Sequence, residues 1–297
     1  MNTLITCYQS CLNLKDSTFS RIDHDDAMVA IVYKITQSNG IQLILKICER
    51  PNDYLREVYF LKFFADKLPI PRIIQLVEPE ANIYGAILME YLPGTLLKTM
   101  DFTDTLAYEM GSLLARIHIN RVAGYGDLIQ PQGLNHDPRI HFTVKFEEGL
   151  EECSNHLPKA MLEQCRRYYD THLNLLDSVD GPCMIHRDFR PGNMIVHNGK
   201  IRGVIDWSSG RASFAEDDFC PMEHGEWPSD PSSRKSFLSG YAAIRPVPDY
   251  RAIMPFLRLN RAIATIGFTV KRDTWASSNA RPYQFNRRFL EEFLSNL

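Results

Sequence analysis

His186-Arg187-Asp188-Phe189-Arg190-Pro191-Gly192-Asn193-Met194-Ile195-Val196, followed by Val204-Ile205-Asp206-Trp207, is the stretch that decides how this chain is read. One apolar run ends near Asp188 and a Pro-Gly turn follows. Asn193 opens a second apolar run, and Asp206 closes a third. Asp, Asn, Pro and Gly are ordinary turn residues, so each alone says little. Their spacing says more. A short hairpin between the second and third runs brings Asn193 and Asp206 together at its open end, beside Asp188. Two hard oxygen ligands converging there suit Mg2+, which takes few protein ligands and completes its shell with phosphate and water. Asp188 is then free to receive the proton of a substrate hydroxyl.

Upstream, MVAIVYKI (28–35) and IQLILKI (41–47) read as a hairpin joined through QSNG. Lys46 sits in the middle of the second strand, where an ammonium is costly unless an anion meets it. Pro51 opens a helix with Leu55, Tyr59 and Phe63 spaced i, i+4. RIIQLVE (72–78) and IYGAILMEY (83–91) read as two more strands, and LPGT (92–95) as a turn. Beyond it the periodicity is helical at about 103–118, 141–152, 158–177, 231–243, 249–272 and 281–295. Short strands in CMIH, MIVHN and IRGVIDW interrupt the helices. The expected organisation is a small lobe of strands and one helix over 1–91 and a larger, mainly helical lobe over 92–297.

The 297 residues carry 33 Lys and Arg against 36 Asp and Glu, a net charge of −3, with 44% hydrophobic residues. This is globular composition. It lacks the strongly basic balance of a nucleic-acid binder, so no nucleic-acid partner is expected. No apolar run of about 18 residues predicts a membrane span. The first residues lack a basic start and apolar core, so no secretory signal is expected. Seven scattered cysteines read as reduced thiols of a cytoplasmic protein. The oligomeric state is left open.

HxDxxxxN followed by an apolar strand and IDW resembles the catalytic and metal motifs of the aminoglycoside phosphotransferase and choline kinase-like superfamily, small-molecule relatives of the protein kinases. Tyr54-Leu55-Arg56-Glu57-Val58-Tyr59-Phe60-Leu61 and Leu68-Pro69-Ile70-Pro71-Arg72 resemble the family's REA…L…PVPR pattern. Ile87-Leu88-Met89-Glu90-Tyr91-Leu92-Pro93-Gly94 resembles its interlobe hinge. Leu113-Leu114-Ala115-Arg116-Ile117-His118 resembles its LA-x-LH helix end. Glu216-Asp217-Asp218-Phe219 falls where the family has an Asp that braces the catalytic loop. The resemblance covers about residues 15–220.

It implies an α+β, bilobal protein-kinase-like fold. The small N-terminal lobe would hold antiparallel strands and one helix, and the larger C-terminal lobe would be mainly helical. It implies transfer of the γ-phosphate of ATP, with GTP as the alternative donor, to a hydroxyl of a small molecule. Asp188 would be the base or hydroxyl-orienting group. Asn193 and Asp206 would hold Mg2+, and Lys46, paired by Glu57, would bind the α- and β-phosphates. Met89 would border the base, with the Glu90 carbonyl and Leu92 amide on the purine edge.

Two features depart from the pattern. Arg187 gives the HRD spelling of protein kinases, although IDW and the lack of an APE-ended activation segment oppose that reading. The segment Arg21–Ala27 has no glycine and three aspartates where phosphates would come. His186 reads as a core histidine bonded to backbone, and Arg190 either stabilises the transferring phosphate or sits at the rim. The other histidines show no metal spacing.

The acceptor is open. An aminoglycoside is polycationic and wants an acidic site, whereas residues 207–297 carry 12 Lys and Arg against 10 Asp and Glu. The arginines of the 251–272 helix favour an anionic or neutral polyol acceptor. Choline or ethanolamine, homoserine and sugars are alternative acceptors. A nucleotide-binding pseudokinase scaffold is the alternative from another class.

Overall fold

The computed structural model describes residues 3–22, 30–228 and 230–297. The aspartates of the 23–26 segment, and the first two residues of the strand expected from 28, lie outside the described residues. The chain begins with α1 (Thr3–Cys11), β1 (Thr18–Arg21), β2 (Ala30–Thr36), β3 (Gln42–Cys48), α2 (Pro51–Phe64), β4 (Ile73–Val77) and β5 (Gly85–Glu90). These strands form one antiparallel sheet in the order β1-β2-β3-β5-β4. Then come β6 (Thr95–Leu96), α3 (Asp104–His118), α4 (Pro138–Cys153), α5 (Lys159–His172), β7 (Cys183–Ile185), β8 (Met194–His197), β9 (Lys200–Val204), β10 (Arg211–Ser213), α6 (Pro231–Ala242), α7 (Met254–Lys271) and α8 (Ala280–Ser295). The first group makes a small sheet-and-helix lobe. The second makes a larger, mainly helical lobe.

The strand period of two decides where the sheet's side chains go. Leu43, Leu45, Ile47 and Leu88 share a buried cluster with Tyr8 and Leu12 of the first segment. The alternate residues, Lys46 of β3 and Ile87 and Met89 of β5, face the other way; Lys46 is paired with Ile87 across the ladder. The apolar cluster that contains Ile87 and Met89 continues into the helical lobe. Helix α1 was not foreseen. Its signal is short, with Ile5, Tyr8 and Leu12 spaced i, i+3, i+7, and it covers the sheet's outer face; Tyr8 donates from its hydroxyl to the Tyr84 carbonyl at 2.8 Å.

Helix α2 leans on the turn that follows β9. Phe60 stacks on Trp207 with centroids 5.6 Å apart and planes 14° from parallel, and Phe64 lies 5.1 Å from the same indole. Tyr59, Phe60, Phe63 and Phe64 of α2 pack against one another. Helix α7 starts later than the expected 249, at Met254, because Pro255 sits in its first turn.

Helices α3 and α6 cross at backbone distance. A Cβ on Gly111 would fall 1.9 Å from the Phe237 carbonyl oxygen, and one on Gly240 would fall 1.9 Å from the Tyr108 oxygen. Each helix thus offers a glycine to the other's main chain. Among the described residues, no helix is long and apolar enough to cross a membrane.

Gly240→Ala therefore forces the two helices apart. The expected cost is about 3 kcal/mol, at the upper end for an overpacked core, read as a lower urea midpoint; an unchanged midpoint contradicts the close approach.

Candidate active site

Lys46 is 8% exposed, and its ammonium lies 2.7 Å from Glu57 Oε2 and 2.7 Å from Asp206 Oδ1. Three segments meet at this one atom: β3 supplies the lysine, α2 the glutamate, and the turn after β9 the aspartate. Burial works against the lysine's charge, but the Asp206 and Glu57 carboxylates overcome it and hold its pKa above the ordinary lysine range. Burial pushes Glu57 up, and Lys46 pulls it back only in part. Burial also opposes ionisation of Asp206, yet Lys46 holds that carboxyl below the usual range.

Asp188 follows β7 on a loop that runs through Pro191–Asn193 into β8. The Asn193 amide donates to the Asp188 carbonyl at 2.8 Å and to Asp188 Oδ2 at 2.9 Å. Hairpin β8–β9 is closed by the ladder Met194↔Val204, and the Ile205 amide donates to the Asn193 carbonyl at 3.0 Å. The hairpin thus sets Asn193 and Asp206 at its open end, beside the Asp188 loop. Arg190 Nε reaches Asp188 Oδ2 at 3.1 Å, and Arg261 of α7 reaches Oδ1 at 3.1 Å. Burial raises the Asp188 pKa, but Arg190 and Arg261 outweigh it and hold the carboxyl well below the usual range. Arg261 was not singled out from sequence. It is one of several arginines in the 251–272 stretch, and spacing alone does not tell which of them reaches Asp188.

Two backbone positions here carry strain. Arg187 has φ of 69° and Asp206 has φ of 64°. A non-glycine residue in this left-handed region costs of order 1–3 kcal/mol and persists only where its surroundings over-determine it. For Asp206 the over-determination is Lys46, joined by Ser208 Oγ donating to the same Oδ1 at 3.0 Å. For Arg187 it is Asp218, which is fully buried. Asp218 accepts from the His186 amide at 2.7 Å, from the Arg187 amide, and from His118 Nε2 at 3.1 Å. His118 in turn meets the Tyr241 hydroxyl at 2.8 Å through Nδ1. Asp218 is thus the member of the Glu216–Phe219 cluster that braces the loop. His186 is buried, with Nε2 donating to the Ile205 carbonyl at 3.0 Å and Nδ1 accepting from the Asp188 amide. It ties the Asp188 loop to the strand leading to Asp206.

Met89 and Glu90 close β5, and Leu92 lies just beyond it. Met89 pairs with Ile44 and Glu90 with Leu43. Met89 is buried on the face that Lys46 shares. The Glu90 carboxylate accepts from the Arg72 amide at 3.1 Å and from Arg72 Nε at 3.0 Å, fixing the end of β5 against the segment before β4. Leu92 is half-buried and packs directly over Gly203 of β9.

Asn193 and Asp206 fit a hard divalent cation. Both Asn193 amide hydrogens point to Asp188, which turns Oδ1 the other way, and no described residue donates to it. Asp206 uses Oδ1 for Lys46 and Ser208, and no described residue donates to its Oδ2. Two oxygens on one hairpin, with the Asp206 side chain 46% exposed, leave room for the phosphate and water ligands that Mg2+ prefers. No group of three His, Cys, Asp or Glu side chains able to hold a metal occurs among the described residues.

A model of the phosphotransferase enzyme family matches residues 29–256. Homoserine kinase of Gluconobacter oxydans (strain 621H) is 27% identical over 185 residues, 60% of this chain. The match spans 56% of that relative's length. A thermostable mutant of aminoglycoside phosphotransferase APH(4)-Ia, in a ternary complex with ADP and hygromycin B, superposes with a TM-score of 0.72 at 12% identity, over 99% of this chain and 98% of that one. The gentamicin complex of APH(2″)-IIa superposes with a TM-score of 0.69 at 16% identity, over 98% and 95%. At these identities the structures show a shared bilobal, protein-kinase-like fold.

Asp218→Asn removes the charge that holds two loop amides and replaces one acceptor oxygen with a donor. The variant should lose about 3 kcal/mol of stability, measured by urea unfolding; a loss within experimental error would mean that Asp218 is not the brace.

Proposed function

The chain belongs to the phosphotransferase enzyme family, and we propose that it transfers the γ-phosphoryl group of ATP to a hydroxyl of a small molecule. The observation that carries the proposal is the convergence of Lys46, Glu57 and Asp206 at 2.7 Å contacts with the Asp188–Asn193 pair on the adjoining loop. We assign residues 1–91 to nucleotide binding and 92–297 to catalysis and acceptor binding. The hinge around Met89, Glu90 and Leu92 would receive the base. The scattered cysteines support a cytoplasmic setting.

Phosphoryl transfer of this kind passes through a loose transition state, so the protein contributes mainly position and charge. Lys46, kept charged and aimed by Glu57, would bind the α- and β-phosphate oxygens. Asn193 and Asp206 would hold Mg2+, whose charge neutralises the phosphate oxygens when it is bound. The acceptor oxygen forms a bond to the γ-phosphorus as the bond to the β-phosphate oxygen breaks. ADP leaves, and the hydroxyl proton goes to water by way of Asp188. Two arginines keep Asp188 ionised and weakly basic, so its main work is to accept the hydroxyl's hydrogen bond and orient it. Removing a group that acts by orientation still costs heavily, because misplacement by about 1 Å can cost roughly 100-fold.

Purified protein should release ADP from ATP with Mg2+ in an acceptor-dependent way across aminoglycosides, choline, homoserine, sugars and hydroxy acids. Asp206→Ala should abolish the release, and Asp188→Asn should lower kcat at least about 100-fold. Near-normal turnover by either variant contradicts the assignment. Because Asp188 is ionised throughout, kcat at saturating ATP and Mg2+ should stay level from about pH 5.5 to 7.5, far above the range in which such a carboxylate titrates. A kcat governed by an ionisation of Asp188 near neutrality contradicts the orienting role.

A further inference from the structure

The residues around Asp188 carry more guanidinium than the reaction as described uses. Arg190 and Arg261 rest on Asp188. Arg56 is taken by Asp127 at 2.8 and 2.5 Å. Arg187 and Arg211 are placed differently: among the described residues, neither has a carboxylate within 4.0 Å. Arg211 is only 9% exposed. Its Nη1 lies 3.0 Å from His141 Nε2 and its Nε donates to the Ser209 carbonyl at 3.4 Å, while no described residue accepts from Nη2.

His141 offers no counter-charge. An imidazole that accepts from a guanidinium is neutral, and burial, then Arg211 and Arg187, hold its pKa down to about 4. The acid nearest in influence is Asp217, whose Oδ2 accepts from Ser213 Oγ at 3.3 Å; burial pushes its pKa up. Asp217 is therefore a weak counter-ion for two arginines. Arg187 and Arg211 also repel one another: burial first, then Arg187, depresses the Arg211 pKa.

A buried guanidinium without a counter-ion is costly. A planar fork with unused N–H groups fits the two oxygens of a carboxylate or the face of a phosphate. Arg187 adjoins Asp188 in the chain, on the loop held by Asp218. Arg211 pairs with Ile185, the last residue of β7 before that loop.

We propose that the acceptor carries an anionic group, a carboxylate or a phosphate, which Arg211 and Arg187 hold while its hydroxyl faces Asp188. This rests on the phosphotransferase reading and narrows it to one class of substrate. A polycation would meet like charge at this wall. Arg211 and Arg187 are then specificity-determining residues, binding the acceptor through a group that does not react.

Malonate and inorganic phosphate serve as probes, since neither needs the true acceptor to be known. Melting temperatures are measured at constant ionic strength, with ADP and Mg2+ first added to fill the nucleotide site. Both anions should raise the melting temperature beyond chloride controls. Half-saturation should move at least about 10-fold upward in Arg211→Gln and in Arg187→Gln, the loss expected for one charge-assisted contact. Arg187 is half-buried, so its variant keeps the test open if Arg211→Gln does not fold. A rise with ADP and Mg2+ but none with either anion overturns the acceptor proposal alone. No rise with ADP and Mg2+ overturns the kinase reading and the proposal with it.

Turnover gives a second readout. Homoserine is compared with 3-aminopropan-1-ol, glycerate with glycerol, and both pairs with an aminoglycoside. The acidic member of a pair should be the better acceptor, with a KM that rises about 10- to 100-fold in the arginine variants and an unchanged KM for ATP. Preference for the uncharged members or the aminoglycoside, or an unchanged acceptor KM in the variants, overturns it.

Discussion

A single ammonium group shared by two carboxylates is the constraint on which this structure turns. Lys46 comes from the sheet, Glu57 from the helix that crosses it, and Asp206 from a turn 160 residues further along the chain. Removing one partner of such a buried pair costs about 3–5 kcal/mol, because the other charge is left behind. The surrounding packing keeps the three together. Phe60 and Phe64 place α2 on Trp207, the residue after Asp206. The same contact that stabilises the helix therefore fixes Glu57 against Lys46, and Lys46 against Asp206.

The second carboxylate of the site is governed from the other side. Asp188 is held by two arginines and an asparagine, and the arginines keep its carboxyl ionised. Its loop passes through a left-handed Arg187, and that strain is held by Asp218 beneath it. His118 and Tyr241 extend the brace into α3 and α6, the two helices whose glycines let them touch. Helix packing far from the cleft is thereby tied to the position of Asp188.

Much of this was legible because chemistry and chain geometry pointed the same way. A lysine inside an apolar strand has few physical explanations, and period two sends it to the face opposite Leu45 and Ile47. Asn193 and Asp206 could be placed together because a two-strand hairpin leaves its open ends adjacent. Thr103 and Asp104 both read as caps of the helix that begins there, and it is Thr103 that accepts from the Leu106 amide. What stayed hidden depends on tertiary approach. Arg261 reaches Asp188 from α7, and no local pattern tells which arginine of that helix will do so; Arg211 meets His141 from β10. Helix α1 is too short for its periodicity to stand out. His118 gave no sign in sequence of the buried carboxylate that it would meet.

The most direct measurement is calorimetric titration of ATP with Mg2+ into the wild-type protein and Lys46→Met, whose fold is verified by its cooperative unfolding. If Lys46 is the phosphate anchor held by Glu57 and Asp206, affinity falls about 10- to 100-fold, as expected for losing one buried charge-assisted contact. Equal affinity in a folded variant would show that the three-way ion pair is structural only, and that the nucleotide is held elsewhere.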